Sequence, residues 1–449
     1  MCFENKSSMS SQAKRFIEDN IETIEGIEKG NTKQIIAQAL KEGGVKLLYE
    51  MQKKFEKCDI NHLADFLPLK EHKTFINYFK FHPVGQGLFY TGSIANDSFN
   101  FVYDCGSSSG NTYIQDSIEK YVSSLRTFGS NKPIINFAVI SHLHVDHFNG
   151  IMSLWDKATI QQIILPYIGN DTDFIALILA HAIFLNIEAN RTEQSIELFD
   201  FMLRLYEVNE HGEHRVNFDY EKTSKKGAYV FVEQRKTIPV GNSYWHFVFI
   251  NRRIPKNKLY LLIAEMKKAM VTLGVSSIRD LVHNHKIDVV KKIYDKVFGI
   301  NHNISSTTML HYPTECTAFN EKAPTISSAG VKHFNFLNRS ISFIPSKLAP
   351  STTLLTGDAM ITKNFGAEIK RCYPNNIDTV GVLQIPHHGS YRNFKTMNKQ
   401  GIQANVYVAT YGLGNQYKHT SKETVDDLYN NKKALYSANQ YEFFDYIIE

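Results

Sequence analysis

The sequence predicts a layered α/β architecture, two mixed sheets with helices outside, on three observations. Short apolar runs ended by Gly, Asp or His recur from Phe81 onward: Leu88 to Tyr90, Phe99 to Tyr103, Ile134 to Ile140, Thr352 to Leu355, Val382 to Ile385 and Val406 to Thr410. Stretches of helical periodicity separate several of them, the alternation that places helices on the faces of sheets. Polar residues collect at the ends of these core strands, where they can converge on one rim.

The other elements follow in chain order. Up to about residue 78 the chain reads as helical. Phe16, Ile17, Ile21, Ile24 and Ile27 stand at helical spacing before a break at Gly30-Asn31. A second helix begins there, with Asn31 or Thr32 as its cap and Ile35, Ile36, Ala39, Leu40, Val45, Leu47 and Leu48 on its apolar side. This 1–78 extension either packs on the main domain or docks a protein partner, since an apolar helical face serves both ends. The remaining 79–449 read as the main domain, with a largely helical insertion at about 167–301. Its helices are expected around Phe174 to Asn186, Gln194 to Tyr206, Lys258 to Leu273 and Ile287 to Val297, interrupted by strand-like Tyr229 to Val232 and Trp245 to Ile250. The loop Asn209 to His214 is either a solvated turn or a metal or lid element.

Composition bounds the function. At 449 residues, 43% hydrophobic and 12% aromatic, the chain has room for a sizeable core. Fifty Lys and Arg stand against 45 Asp and Glu, a formal charge of +5, which excludes a polycationic nucleic-acid binder. Cys2, Cys58, Cys105, Cys316 and Cys372 are odd in number, scattered and free of C-x-x-C spacing, so neither a disulfide framework nor a zinc finger is indicated. The first residues carry an acidic group and no apolar core, and the longest apolar stretch, Phe174 to Leu185, falls short of the roughly 18 to 20 residues a membrane span needs. A reducing, cytoplasmic setting without a membrane is expected.

The chemistry is concentrated in Ser141-His-Leu-His-Val-Asp-His147, directly after the run Ile134 to Ile140. His142 with His144, and Asp146 with His147, form two clusters of ligands on a tight loop at a strand end. Neutral imidazoles and ionised carboxylates hold borderline divalent ions and leave positions open for water, a catalytic layout. Two later segments end the same way. Thr352 to Asp358 is a strand terminating in a carboxylate, with Gly357 permitting close backbone approach; Leu383 to Ser390 ends in paired imidazoles. Asp358 can bridge two cations, and His387 or His388 completes the second.

These segments, with Val84-Gly-Gln-Gly87 and Tyr103-Asp-Cys-Gly106, resemble the metallo-β-lactamase fold superfamily, and most closely the branch holding the metallohydrolase domain of the competence protein ComEC type. Tyr417 to Ser421 stands where that branch usually has a His-Pro-Ser element, with Thr420 in place of the proline. The resemblance runs from about Phe81 to the C-terminus apart from the insertion. It implies a four-layer αββα sandwich, His142 and His144 on one ion, Asp146, His147 and one of His387 and His388 on the other, and Asp358 between them. The ions would be Zn²⁺ first, with Mn²⁺ or Fe as alternatives. A mid-chain histidine of the first ion has no convincing match: His181 and His246 are weak candidates better read as packed side chains. Pro83 departs from the acidic residue common before Val-Gly-Gln-Gly.

A water shared by two divalent ions ionises near neutral pH and attacks an electrophile, so no protein nucleophile is required. Asp146 would orient it or shuttle a proton, and Asp104 would brace the metal loop through hydrogen bonds. His419 either protonates a leaving oxygen, contacts a phosphate, or caps the following helix. Arg392, Lys395 and Lys418 either neutralise a polynucleotide backbone or are solvated charges, and Tyr391 and Phe394 either stack bases or pack on the core. The reading is thus a phosphodiesterase or nuclease acting on a nucleic acid or nucleotide. The alternatives are a hydrolase of a carbon ester, lactone or thioester, and an effector subunit gated by a partner on residues 1–78.

Overall fold

The computed structural model describes residues 77–127, 132–142, 144–164, 222–226, 229–240, 243–252, 256–276, 287–298, 306–314, 326–327, 334–336, 339–341, 351–374 and 377–448. All of them belong to the second of the two units into which the chain divides, Phe75–Glu449. The 1–78 extension up to residue 76, the helices expected around 174–186 and 194–206, His181 and the loop 209–214 lie outside the described residues.

In chain order the elements are β1 (Asn77–Phe81), β2 (Gly87–Ile94), β3 (Phe99–Ser107), α1 (Asn111–Ser124), β4 (Ile134–Ile135), β5 (Phe137–Val139), α2 (Val145–Phe148), α3 (Ile151–Lys157), β6 (Thr159–Ile160), β7 (Ile163–Ile164), β8 (Lys222–Lys226), β9 (Tyr229–Val240) and β10 (Ser243–Arg252). There follow α4 (Lys256–Leu273), α5 (Ile287–Phe298), β11 (Thr307–Pro313), β12 (Ile326–Ser327), β13 (Phe334–Phe336), β14 (Arg339–Ile341), β15 (Thr353–Leu355), α6 (Lys363–Arg371), β16 (Thr379–Gln384) and α7 (Tyr391–Lys399). The chain closes with β17 (Gln403–Thr410), α8 (Lys422–Asn430), β18 (Ala434–Ala438) and β19 (Phe444–Ile448).

Among the described residues two large mixed sheets form, ordered β12-β19-β1-β2-β3-β5-β7 and β18-β17-β16-β15-β11-β10-β9-β8. The period of two along each strand sorts their side chains into three cores. Phe79, Phe81, Tyr90, Phe101, Tyr103 and Phe137 from the first sheet meet Trp245, Phe247, Phe249, Met309, Leu355, Val382 and Val406 from the second. The alternate residues of the first sheet, Phe89, Val102, Cys105, Ala138 and Ile140, pack on α1, α3, α4 and α5. Those of the second, Val248, Ile250, Leu310, Leu354, Leu383 and Tyr407, pack on α6, α7 and α8. The order is therefore helices, sheet, sheet, helices, the four-layer αββα sandwich expected from the sequence. Because both faces of the central strands are buried, they read as continuous apolar runs. Each fully buried aromatic or branched side chain there contributes on the order of 1.5–3 kcal/mol.

The structure departs from the sequence reading in two places. Ile134 to Ile140 is two strands: β5 joins the main sheet, whereas β4 pairs with β6 in a separate two-stranded ladder. Asn136 divides them because its side chain accepts from Asn100 N at 2.8 Å. The strand-like runs inside the expected insertion are parts of the longer β9 and β10, and β10 lies between β9 and β11 inside the large sheet. No helix among the described residues is long and apolar enough to cross a membrane.

Candidate metal centre

Three strand ends supply the site. β5 leads through Ile140 and Ser141 into His142 and His144, and the single turn α2 then carries Asp146 and His147. β15 ends at Asp358 through Thr356 and Gly357, and β16 ends at the histidine pair. Close packing requires two glycines. A Cβ on Gly106 would lie 2.5–2.6 Å from the backbone of Asp146, His147 and Phe148, so α2 can seat on β3 only with glycine there. Gly357 adopts φ +53°, and its Cβ would lie 2.6 Å from Ser141 Oγ.

Asp358 is the centre of the arrangement, with different neighbours at its two oxygens. Oδ1 lies 3.1 Å from His147 Nε2 and 3.7 Å from His388 Nε2. Oδ2 lies 3.6 Å from His142 Nε2, 3.9 Å from His144 Nδ1 and 3.7 Å from His387 Nε2. Asp146 Oδ2 lies 3.1 Å from His388 Nε2. The donor atoms of His142, His144 and Asp358 all fall within 4.8 Å of one another, as do those of Asp146, His147 and His388. These are the two clusters expected from the loop, each joined by one residue from a later strand end. Asp104 forms a third such group with His142 and His147, but hydrogen bonds already occupy it.

Those bonds decide which ring nitrogens face inward. Asp104 accepts from Ser141 N (2.6 Å), Ser141 Oγ (2.6 Å) and His147 Nδ1 (2.8 Å). With its proton given to Asp104, the Ser141 hydroxyl must accept from His142 Nδ1, 2.8 Å away. His388 Nδ1 donates to the Thr410 carbonyl oxygen at 2.7 Å. Each of the three imidazoles thus directs Nδ1 outward and turns Nε2 to a carboxylate, Asp358 for His142 and His147 and Asp146 for His388.

Lone pairs aimed at carboxylate oxygens repel unless a cation lies between them, either a proton or a metal ion. His142 Nε2 and His147 Nε2 are buried and make no hydrogen bond. Ligand atoms about 2.0–2.1 Å from a tetrahedral Zn²⁺ stand about 3.3 Å apart, a spacing the 3.1–3.9 Å separations here bracket. The donor set and its geometry therefore fit divalent cations.

The electrostatics agree. Burial works against charge on His147, but Asp358, Asp146 and Asp104 hold its pKa well above the ordinary imidazole value. His388 is raised in the same way, burial being outweighed by Asp358 and by the bond to Asp146. Burial opposes ionisation of Asp358, yet His147, His387, His388 and His142 depress its pKa well below the usual carboxylate range. Asp146 is likewise depressed, against burial, by His147 and His388. His142 is lowered by burial and then by His147.

At the rim, the His419 ring lies 5.4 Å from that of His387 and is stacked at 5.9 Å on exposed Tyr417. Burial, then His388 and His387, push its pKa down to about 4. The neighbouring residues act as a brace. Ser421 caps α8, accepting from Thr424 N, and Thr420 Oγ1 donates to the His388 carbonyl at 3.1 Å. Arg392 and Lys395 are exposed on α7, and Lys418 is exposed beside His419.

Two open sequence readings are decided. Phe394 is 1% exposed in the core of the second sheet and cannot stack a base, because the helical period of α7 turns it inward with Met397. His246 has both ring nitrogens on hydroxyls, Thr237 and Thr314 at 3.0 Å, and joins neither ligand group. The sequence reading missed Ser141, Thr410 and Tyr417. The first and last were visible as a hydroxyl and an aromatic beside the motifs, whereas the Thr410 contribution is a backbone carbonyl that any residue would offer.

Comparisons with solved structures return, among other matches, two metallo-β-lactamase proteins. The metallo-β-lactamase fold protein YhfI from Bacillus subtilis is 9% identical, with 82% of this chain and 99% of that one covered at a TM-score of 0.32. The archaeal metallo-β-lactamase superfamily protein ST1585 from Sulfolobus tokodaii is 13% identical, with 38% and 59% covered at a TM-score of 0.17. At such scores neither likeness bears on what the site does. No family model and no curated protein matches the chain.

Proposed function

We propose that this protein is a binuclear metal-dependent hydrolase that cleaves a phosphodiester in a nucleic acid or nucleotide, in the manner of the ComEC-type metallohydrolases its motifs resemble. The observation that carries the reading is Asp358, a single buried carboxylate whose two oxygens face separate sets of imidazoles. His142, His144 and Asp358 would hold one cation, and Asp146, His147, His388 and Asp358 the other. Two divalent ions, Zn²⁺ before Mn²⁺ or Fe, supply when bound a water ionised near neutral pH and positive charge opposite a developing oxyanion.

The chain's own residues do the rest. Asp104, Ser141 and the Thr410 carbonyl hold the rings in the productive tautomer. Asp146 stays ionised and keeps its orientation through His388. His419, with its pKa near 4, is neutral at physiological pH. It therefore serves as a hydrogen-bond partner for a phosphoryl oxygen rather than as the proton donor to the leaving group. Arg392, Lys395 and Lys418 would screen the charge of a polyanionic substrate at the rim. Positive charge from these residues would favour phosphorus over a carbon ester as the electrophile.

The test is cleavage of bis-p-nitrophenyl phosphate, DNA and RNA, beside a lactone and a thioester, by metal-loaded wild type and Asp146→Ala. Phosphodiester cleavage lost in the variant is the expected result. Cleavage confined to the carbon esters would replace the substrate assignment. Activity only in the presence of a partner, and lost on deletion of residues 1–74, the first of the two units, would make the chain a gated effector.

A further inference from the structure

We propose that His387 and His388 are both metal ligands, one for each cation, so that His387 supplies the third imidazole of the His142–His144 side. The inference rests on the binuclear reading above. It concerns the position for which the sequence offers no convincing mid-chain histidine.

The geometry around Asp358 carries it. His387 Nε2 and His388 Nε2 each stand 3.7 Å from that carboxylate, but from different oxygens, Oδ2 and Oδ1. Oδ2 is also the oxygen that faces His142 and His144, whereas Oδ1 faces His147. With His387 included, each side has three donors besides the shared Asp358: His142, His144 and His387 on one, Asp146, His147 and His388 on the other.

Adjacent residues of an extended chain point to opposite faces, so two consecutive side chains do not ordinarily reach one carboxylate. Here both histidines are left-handed, with φ of 53° and 54°. For a non-glycine residue that conformation costs on the order of 1–2 kcal/mol and persists only where its surroundings hold it. They do. His387 N donates to the Gly357 carbonyl at 3.1 Å, which ties the pair to the strand end bearing Asp358. The carbonyls of His388 and Gly389 accept from Thr420 Oγ1 and Thr424 Oγ1 at 3.1 and 3.0 Å. The turn delivers both rings to Asp358, more than a single ligand at His388 would require.

Three other described histidines are committed elsewhere: His82 bonds Thr91, His246 bonds Thr237 and Thr314, and His311 bonds Tyr90 and Trp245. His419, with its ring 5.4 Å beyond that of His387, makes no ion pair with Asp358 among the described contacts. The side chain of His387 is 37% exposed and outside the tight group formed by His142, His144 and Asp358. As the outermost and most exposed donor it would make the Oδ2 side the weaker of the two.

The test is equilibrium dialysis of the full chain against Co²⁺, with metal analysis and proton NMR of the shifted exchangeable imidazole signals, for wild type, His387→Ala and His388→Ala. Wild type should bind two ions. His387→Ala should keep the tight ion and lose one shifted signal, while its weaker ion loses more than the roughly 10- to 100-fold that follows removal of an orienting partner. His388→Ala should weaken the tight ion instead. Two ions in His387→Ala with wild-type affinities and every shifted signal retained would overturn the assignment while leaving the hydrolase reading intact; a wild type that binds no ion would overturn both.

Discussion

The two sides of Asp358 are built differently. On the Oδ1 side, His147 and His388 are buried and each has its second nitrogen fixed, by the Asp104 carboxylate and by the Thr410 carbonyl. On the Oδ2 side only His142 is comparably buried, and its partner is a hydroxyl. His144 and His387 are 18% and 37% exposed there. Burial and a charged acceptor preorganise the first set before any cation arrives, whereas the second faces solvent. On the binuclear reading proposed above, the first side would hold its ion the more tightly and the second would exchange its ion more readily.

The largest effect should come from the residue common to both sides. Asp358→Ala should abolish high-affinity binding of both ions and reduce hydrolysis to background, read by metal analysis and turnover together; retention of one tight ion would mean that the two sides are independent. Next, His147→Ala and His144→Ala should separate the sides. The former should lose the tight ion, and the latter should leave it bound while weakening the other, in a Zn²⁺ titration competed by a chelator. Equal losses would erase the asymmetry.

Asp104→Asn touches no ion and keeps the shape of the side chain. It should weaken the tight ion by roughly 10- to 100-fold and lower the stability of the metal-free protein by about 1–3 kcal/mol through the disturbed bonds to Ser141 and His147. A chelator titration and a denaturant melt measure the two. A larger effect on the weak ion would contradict the roles assigned here.

A pH series sharpens the contrast further. His147 and His388 have raised values in the metal-free fold. Their contribution to its stability is therefore full below the unfolded imidazole pKa and is lost as pH rises through the folded values. Metal binding must expel those same protons. Affinity on the Oδ1 side should rise with pH by about tenfold per unit for each proton released, measurable by calorimetry in buffers of different ionisation enthalpy. The metal-free and metal-loaded proteins should thus show opposite slopes of stability against pH. The smallest effect belongs to the rim: Lys418→Ala should leave metal binding unchanged and lower the salt slope of polynucleotide binding by about one phosphate contact.

Much of this was legible in the sequence, for reasons that differ by element. The layered α/β order and the strands leading to His142, Asp358 and His387 were readable because strands buried on both faces leave unbroken apolar runs. The spacing of His142, His144, Asp146 and His147 separated two ligand clusters before any coordinates. β11 was passed over because Thr307, Thr308 and His311 interrupt its apolar pattern, although all three are buried and His311 is held 2.9 Å from Tyr90 Oη. The length of β9 and β10 was hidden by charged and polar residues such as Gln234, Arg235 and Lys236. The roles of His387 and His388 were not separable, because periodicity assumes extended backbone and both residues are left-handed. Phe394 was left open between stacking and packing because a lone aromatic beside two cations looks the same on either face of a helix.

The most direct measurement is a crystal structure of the full chain grown with Zn²⁺, with anomalous differences collected at the zinc edge. Two peaks flanking Asp358 are predicted, one among Asp146, His147 and His388 and a second, of lower occupancy, among His142, His144 and His387. A single peak, or zinc bound away from Asp358, would contradict the account.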